Sequence, residues 1–300
     1  MRILVTFAHY YKYDGIGFHS SRGNDPAPRI AALTRAIANL YGHFTGPALE
    51  YNYADEVAEA ANGERHHLAV VICTTQQEHV VDRLELDRAL FIHHKSDTPP
   101  LELAIECRRI LANNLEQFDL FCFMEDDLVI HDPTFFEKIL WFNSQVGDGA
   151  VLLPNRYEMS VKFPFRKVYC DGSINRTHSP VYWNDKGPPQ LTGSVFNREI
   201  QFRLATSPHA GCYFVTQRQM RQWVQAPWFL SNEVSLIGPL ESAASQALLR
   251  SFAIYKPALV NADFLELQHD YDRFMRYFSG QPINRVAEED KHNIGRIGEG

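Results

Sequence analysis

Residues 118–127 read FDLFCFMEDD, an apolar run broken only by Asp119 and closed abruptly by Glu125-Asp126-Asp127. So short a run, packed with Phe and Leu on both sides of the chain, predicts a fully buried strand of a mostly parallel sheet. Working outward, His67–Thr74 (HLAVVICT) and Arg2–Ala8 (RILVTFA) predict two more buried strands. Between them, Ile30, Leu33, Ile37 and Leu40 recur at helical spacing, so 29–41 reads as an amphipathic helix. After Pro99-Pro100, the positions Leu101, Ala104, Ile105, Leu111 and Leu115 outline a second helix. Downstream, 128–130 is a strand fragment, and Asp132-Pro133 predicts a helix cap for 134–142. Strands alternating with helices over the first 150 residues define an α/β fold.

The second half is less regular. Strands are expected at 149–154, 211–216 and 252–260 and a helix at 239–251, whereas 155–208 reads as loop. One structural unit is expected over 1–280, with a ligand-binding half (1–150) and a loop-rich half (151–280). Residues 281–300 read as a polar tail with the composition of a disordered segment.

The chain has 300 residues, 45% hydrophobic and 22% charged, an ordinary globular composition able to bury a sizeable core. Its net charge of −7 argues against a nucleic-acid binder. No stretch approaches the ~20 apolar residues of a membrane span, and the N-terminal apolar run is too short for a signal core. Cys73, Cys107, Cys122, Cys170 and Cys212 contain no CxxC pair and read as reduced. The expectation is a cytoplasmic setting, in which the Asn175-Arg176-Thr177 sequon stays unmodified. Oligomeric state is not encoded in any motif.

Three adjacent carboxylates at a strand's carboxyl edge lie where open α/β sheets bind ligands. Buried together they repel, and a hard divalent cation relieves the conflict; a solvated acidic turn would leave the same letters. Arg29 and Arg108 are candidates for phosphate or ribose contacts, or else solvated helix charges. The doublets His66-His67 and His93-His94 lack the spacing to share a metal.

The string FCFMEDDLVIHDPTFF, 121–136, resembles the acidic-motif region of GT-A glycosyltransferases, especially the animal Golgi β-1,2-N-acetylglucosaminyltransferase family. That resemblance implies a Rossmann-like GT-A domain with a metal held by Asp127 and with Glu125 and Asp126 as nucleotide-side partners. It further implies base contacts near Thr6, Ala8 and His9 at the end of the first strand. The segment Gly238–Ala244 resembles the helix start that carries an acceptor-activating carboxylate, which would be Glu241, with Glu233 as runner-up. A Glu in a first helical turn is equally what the helix dipole favours. His269 stands where such enzymes place a C-terminal metal ligand, with Asp263 and Asp270 as substitutes. Arg156, Trp183, Trp223, Trp228 and the entry His209-Ala210-Gly211 are candidates for the acceptor side. The implied activity is Mn²⁺- or Mg²⁺-dependent transfer from a nucleotide-sugar, UDP-sugar first, to a glycan or other hydroxyl acceptor. Two alternatives are a metal-dependent phosphoryl-transfer or nuclease-type enzyme and a non-catalytic carbohydrate-binding protein. The former predicts a second set of carboxylates, for which Asp82, Asp87 and Asp97 are the available residues.

Overall fold

The structure, a computed structural model, describes residues 1–14, 21–61, 66–162, 165–174, 184–232, 241–278 and 294–296. The expected tail, apart from 294–296, lies outside these residues, as do Glu233, Trp183 and the 175–177 sequon.

The first half alternates as its apolar pattern demands. Strand β1 (Arg2–Ala8) leads to helix α1 (Ala27–Phe44), which buries Ala32, Leu33, Ala36, Ile37, Leu40 and Phe44. A hairpin of β2 (Leu49–Asn52) and β3 (Val57–Ala60) follows, then the buried strand β4 (His67–Thr75) and the shorter β5 (Ile92–Ser96). Helix α2 (Leu103–Asn113) crosses to β6 (Leu120–Glu125), the strand with which the sequence reading began. Next come β7 (Leu128–Val129), α3 (Phe135–Val146) and β8 (Ala150–Leu152). Asp132 accepts from Thr134 N–H at 2.8 Å, but α3 begins at Phe135 with Thr134 in the cap position, two residues later than the expected Asp132 cap.

The second half contains more sheet than its sequence suggests. Instead of loop, 155–208 forms β9 (Asn155–Met159), β10 (Lys167–Tyr169), β11 (Gln190–Val195) and β12 (Arg198–Leu204). Their sequences hide them for physical reasons. Asn155, Arg156, Tyr157 and Glu158 of β9 are all buried, so no alternation marks the strand. The β11–β12 hairpin turns through Phe196 and Asn197, both left-handed (φ 50° and 59°), without the glycine that usually signals such a turn. Then follow β13 (Cys212–Thr216), α4 (Gln217–Val224), a π turn at Ser242–Gln246 and β14 (Ala253–Pro257). Strand β15 (Glu266–His269), the short helix Arg273–Phe278 and β16 (Ile294–Arg296) end the described chain. Strand β16 pairs with β11, so part of the expected tail belongs to a sheet.

The molecule is therefore mixed α/β with several sheets. The central one runs β13-β6-β1-β4-β5, parallel except for β13. A second runs β10-β9-β15-β7 and a third β16-β11-β12-β14-β8. From β1 the chain builds outward through β4 and β5, then returns to place β6 on the other side of β1. The strand order thus reverses between β1 and β6, and a crevice opens beyond the carboxyl ends of strands at such a point. Ala8 stands opposite Glu125 there.

Trp223 of α4, offered above as an acceptor contact, is instead fully buried, edge-on to Tyr213, Phe229 and Phe252. It fills the layer between β13 and the segment before β14. Trp223→Ala is expected to cost about 3–5 kcal/mol in urea unfolding.

Candidate functional site

The carboxyl ends of β1 and β6 gather charged and titratable side chains from several parts of the chain. Asp126, just past β6, is buried and both its oxygens are taken. Oδ2 accepts from His9 Nδ1 at 2.5 Å, and Oδ1 accepts from Arg29, in the first turn of α1. His9 Nε2 accepts the Val80 N–H at 3.1 Å, which fixes the proton on Nδ1. Burial pushes Asp126 up, but the Arg29 charge and the His9 bond outweigh it and hold the carboxyl below its ordinary value. Arg29 reaches on to Asp127 Oδ2 at 3.2 Å.

Asp127 keeps capacity in reserve. Its Oδ1 is buried with no hydrogen-bond partner among the described residues. Strand β15 runs antiparallel to β7, setting His269 opposite Leu128, and Asp270 N–H donates to Asp127 O at 2.9 Å. His269 Nε2 consequently lies 3.7 Å from Asp127 Oδ2. Its other nitrogen, Nδ1, donates to the fully buried Glu158 at 2.8 Å, and Glu158 also accepts Met275 N–H at 2.8 Å. Burial alone would lower His269; Asp127 and Glu158 prevail and raise it. A carboxylate behind one imidazole nitrogen orients the other as a ligand.

Glu125 closes the other flank. Burial, reinforced by Asp127 and Glu241, pushes it up to about 7 against the pull of Arg156 and His269. Arg156 Nη1 lies 3.4 Å from Glu125 Oε2, and its Nη2 donates to Asp171 at 2.9 Å. Fully buried Lys256 from β14 sits 3.2 Å from Asp171 and donates to His209 O at 2.6 Å. Burial pushes Lys256 down, and it drives His209 down to about 3. Gly211 (φ +64°) passes so close that a Cβ there would come within 2.5 Å of Glu125 Oε2. The residue between β13 and this flank therefore has to be glycine.

Of the residues singled out in the sequence, the structure brings together Ala8, His9, Arg29, Glu125, Asp126, Asp127, Arg156 and His269. Glu241 stands near enough for its charge to act on Glu125. Several others fall elsewhere. Thr6 lies within β1, where its hydroxyl donates to Cys122 O at 3.1 Å. Arg108, far from solvent, donates to Phe229 O at 2.6 Å, because α2 turns it into the core behind β13. Trp228 donates to Ser251 at 3.0 Å, and Asp263 pairs with exposed Arg198 at 3.3 Å. Asp270 holds Arg35. Asp82 pairs loosely with Arg88 at 3.8 Å and Asp87 caps Ala89 N–H, so neither builds a second acidic site. His93 turns to Thr74 and His94 to Glu106, each at 2.9 Å. All five cysteines are free.

Sequence reasoning missed Glu158, Asp171 and Lys256. The available signal was a charge stranded in an apolar run, as Lys256 is in FAIYKPALV. It also missed His79, beyond the carboxyl end of β4, whose ring stands edge-on to His93 at 4.7 Å.

More carboxylates than permanent cations converge here, so the arrangement suits a bound cation. Among the described residues no group of three or more His, Cys, Asp or Glu side chains forms a metal cage. Asp127 and His269 nevertheless fit a two-ligand site, since Asp127 Oδ1 is unused and His269 presents Nε2. Such a site suits an ion whose other positions are filled by water and phosphate oxygens. A cavity of about 270 Å³ is lined by Ser160, Lys162, Gln268, Asp270, Tyr271 and Asp272 among others, with neither His269 nor Asp127 in its wall.

No protein-family model matches the chain, and no curated protein matches it significantly. No described helix is long and apolar enough to cross a membrane.

Asp171 ties the flank to pH. Burial raises it, but Lys256 and Arg156 prevail and hold it at about 2, below its ordinary 3.8. Its contribution is complete above the unfolded value and vanishes as pH falls through about 2. Asp171→Asn is expected to cost about 2–3 kcal/mol at neutral pH. The gap to wild type in urea unfolding should close between about pH 4 and pH 2.

Proposed function

We propose that the chain is a metal-dependent glycosyltransferase of the GT-A type, moving a sugar from a nucleotide-sugar, UDP-sugar first, to a hydroxyl acceptor such as a glycan. The observation that carries this reading is the Asp127–His269 pair, 3.7 Å apart beside the reversal of strand order, with Asp127 Oδ1 unpartnered. The parallel central sheet and the acidic motif at the end of β6 support it as well.

In this reading Asp127 and His269 hold Mn²⁺ or Mg²⁺; an imidazole ligand favours Mn²⁺. When bound, the ion supplies Lewis-acid stabilisation of the charge that grows on the departing diphosphate. The protein's own residues fix the geometry. Asp126 is fully engaged by His9 and Arg29, so it orients its neighbour Asp127 and leaves ligation to it. Glu158 aims His269, and Arg156 with Asp171 and Lys256 immobilises Glu125. Glu241 is the first choice for taking the acceptor's proton in an inverting reaction; Glu233 lies outside the described residues.

The test is a panel of UDP-, GDP- and CMP-sugars assayed for binding and slow hydrolysis with Mn²⁺ or EDTA. One donor should turn over with metal, and Asp127→Ala should lower that turnover by at least ~100-fold. Glu158→Gln should weaken Mn²⁺ affinity by about 10–100-fold. Failure of every donor to bind with Mn²⁺ present would sink the proposal.

A further inference from the structure

The turn after β4 carries an imidazole for which the chemistry proposed above has no use. Gln76, left-handed at φ 45°, donates its N–H to Ser96 O at 3.0 Å, and Glu78 N–H bonds back to Thr75 O at 3.2 Å. The chain thereby reverses and brings His79 to the face of the central sheet on which β4 and β5 set Thr74 and His93. His79 is only 9% exposed, and neither of its ring nitrogens has a hydrogen-bond partner among the described residues.

A neutral imidazole carries one donor and one acceptor. Leaving both unmade in the interior incurs the desolvation cost of each with nothing in return. His9 offers no relief, since Asp126 and Val80 N–H occupy both of its nitrogens. The ring that His79 does meet is His93, edge-on at 4.7 Å. Two imidazoles on one tetrahedral ion, bonded at about 2.0–2.1 Å, hold their ring centres about 5 Å apart. His93 is also oriented as a ligand would be. Its Nε2 meets Thr74 Oγ1 at 2.9 Å, the kind of outer hydrogen bond that aims the other nitrogen of a ligating imidazole. His93 is half-buried, so an ion reaches it from solvent. Burial, the main cause, lowers both rings, His93 to about 4, so at neutral pH both are uncharged and their lone pairs are free.

We infer that His79 and His93 bind a divalent ion of the zinc type, apart from the Asp127–His269 pair. Imidazole nitrogen suits Zn²⁺, Ni²⁺ and Cu²⁺, whereas Mg²⁺ takes oxygen. Two protein ligands leave the remaining positions to water, in keeping with the lack of any three-residue cage among the described residues. Such an ion clips the turn 76–80 to β5. Val80 N–H directs the His9 proton toward Asp126, so the clip steadies the end of β1 from behind.

Zn²⁺ calorimetry of the untagged full chain tests this, run in Asp127→Ala so that the other pair is broken. One Zn²⁺ should bind with a dissociation constant of about 1–100 µM, and Mg²⁺ should not displace it. His79→Gln and His93→Gln, each added to that background, should weaken binding at least ~10-fold, and Thr74→Val about 10-fold through the lost outer bond. His94→Gln, whose ring turns to Glu106 instead, should shift it less than ~2-fold. Equal thermal unfolding in EDTA would show each variant folded, and Thr74→Val decides the matter should a histidine variant unfold. Absence of Zn²⁺ binding up to about 1 mM overturns the inference. So does a His79→Gln variant that binds as its parent does, or a His94→Gln variant as impaired as His79→Gln.

Discussion

The buried carboxylate of Asp126 is the constraint on which the rest of the site depends. It joins the end of β1 through His9, the first turn of α1 through Arg29 and the end of β6 through its own backbone. An unpaired carboxylate at that depth would carry a desolvation penalty of several kcal/mol. Pairing removes the penalty only while all three elements stay in place. The reversal of strand order is therefore clamped by charge as well as by the ladder, and Asp127 inherits a fixed position from its neighbour.

A second buried network performs the same service from the other side. Lys256, Asp171 and Arg156 form a chain of opposite charges leading from β14 to Glu125. Glu158 stands behind His269 in the same manner. The groups nearest the crevice are thus held by partners that never face it. Preorganisation of this kind lets a site present charge without reorganising when a ligand arrives.

The sequence was most legible where apolar pattern and strand burial coincide. The strands β1, β4 and β6 and the helix α1 lie within a few residues of their expected places, because each buries a continuous run or a single stripe. The triplet Glu125-Asp126-Asp127 stands out because carboxylates at a strand's carboxyl end lie where such sheets bind ligands, whereas His9 and His269 are singled out only through the GT-A resemblance. Arg29 was named, yet its carboxylate clamp was not foreseen, although it continues the buried stripe of Leu33, Ala36 and Leu40. Arg108 shows the converse. An Arg on a helix reads as solvent-facing, but Phe229 O and Ser231 O accept its protons in the core. The strand β9 escaped because polar residues buried by pairing leave no hydrophobic period to read.

The central claim is that Asp127 and His269 share a divalent ion, with Asp126 excluded from ligation by its own partners. Pulsed electron paramagnetic resonance of Mn²⁺ bound with UDP tests it most directly. A nitrogen coupling on the manganese, lost in His269→Gln and retained in Asp126→Asn, is the result the account predicts. A nitrogen coupling that survives in His269→Gln, or no bound Mn²⁺ in the wild type with UDP present, would contradict it.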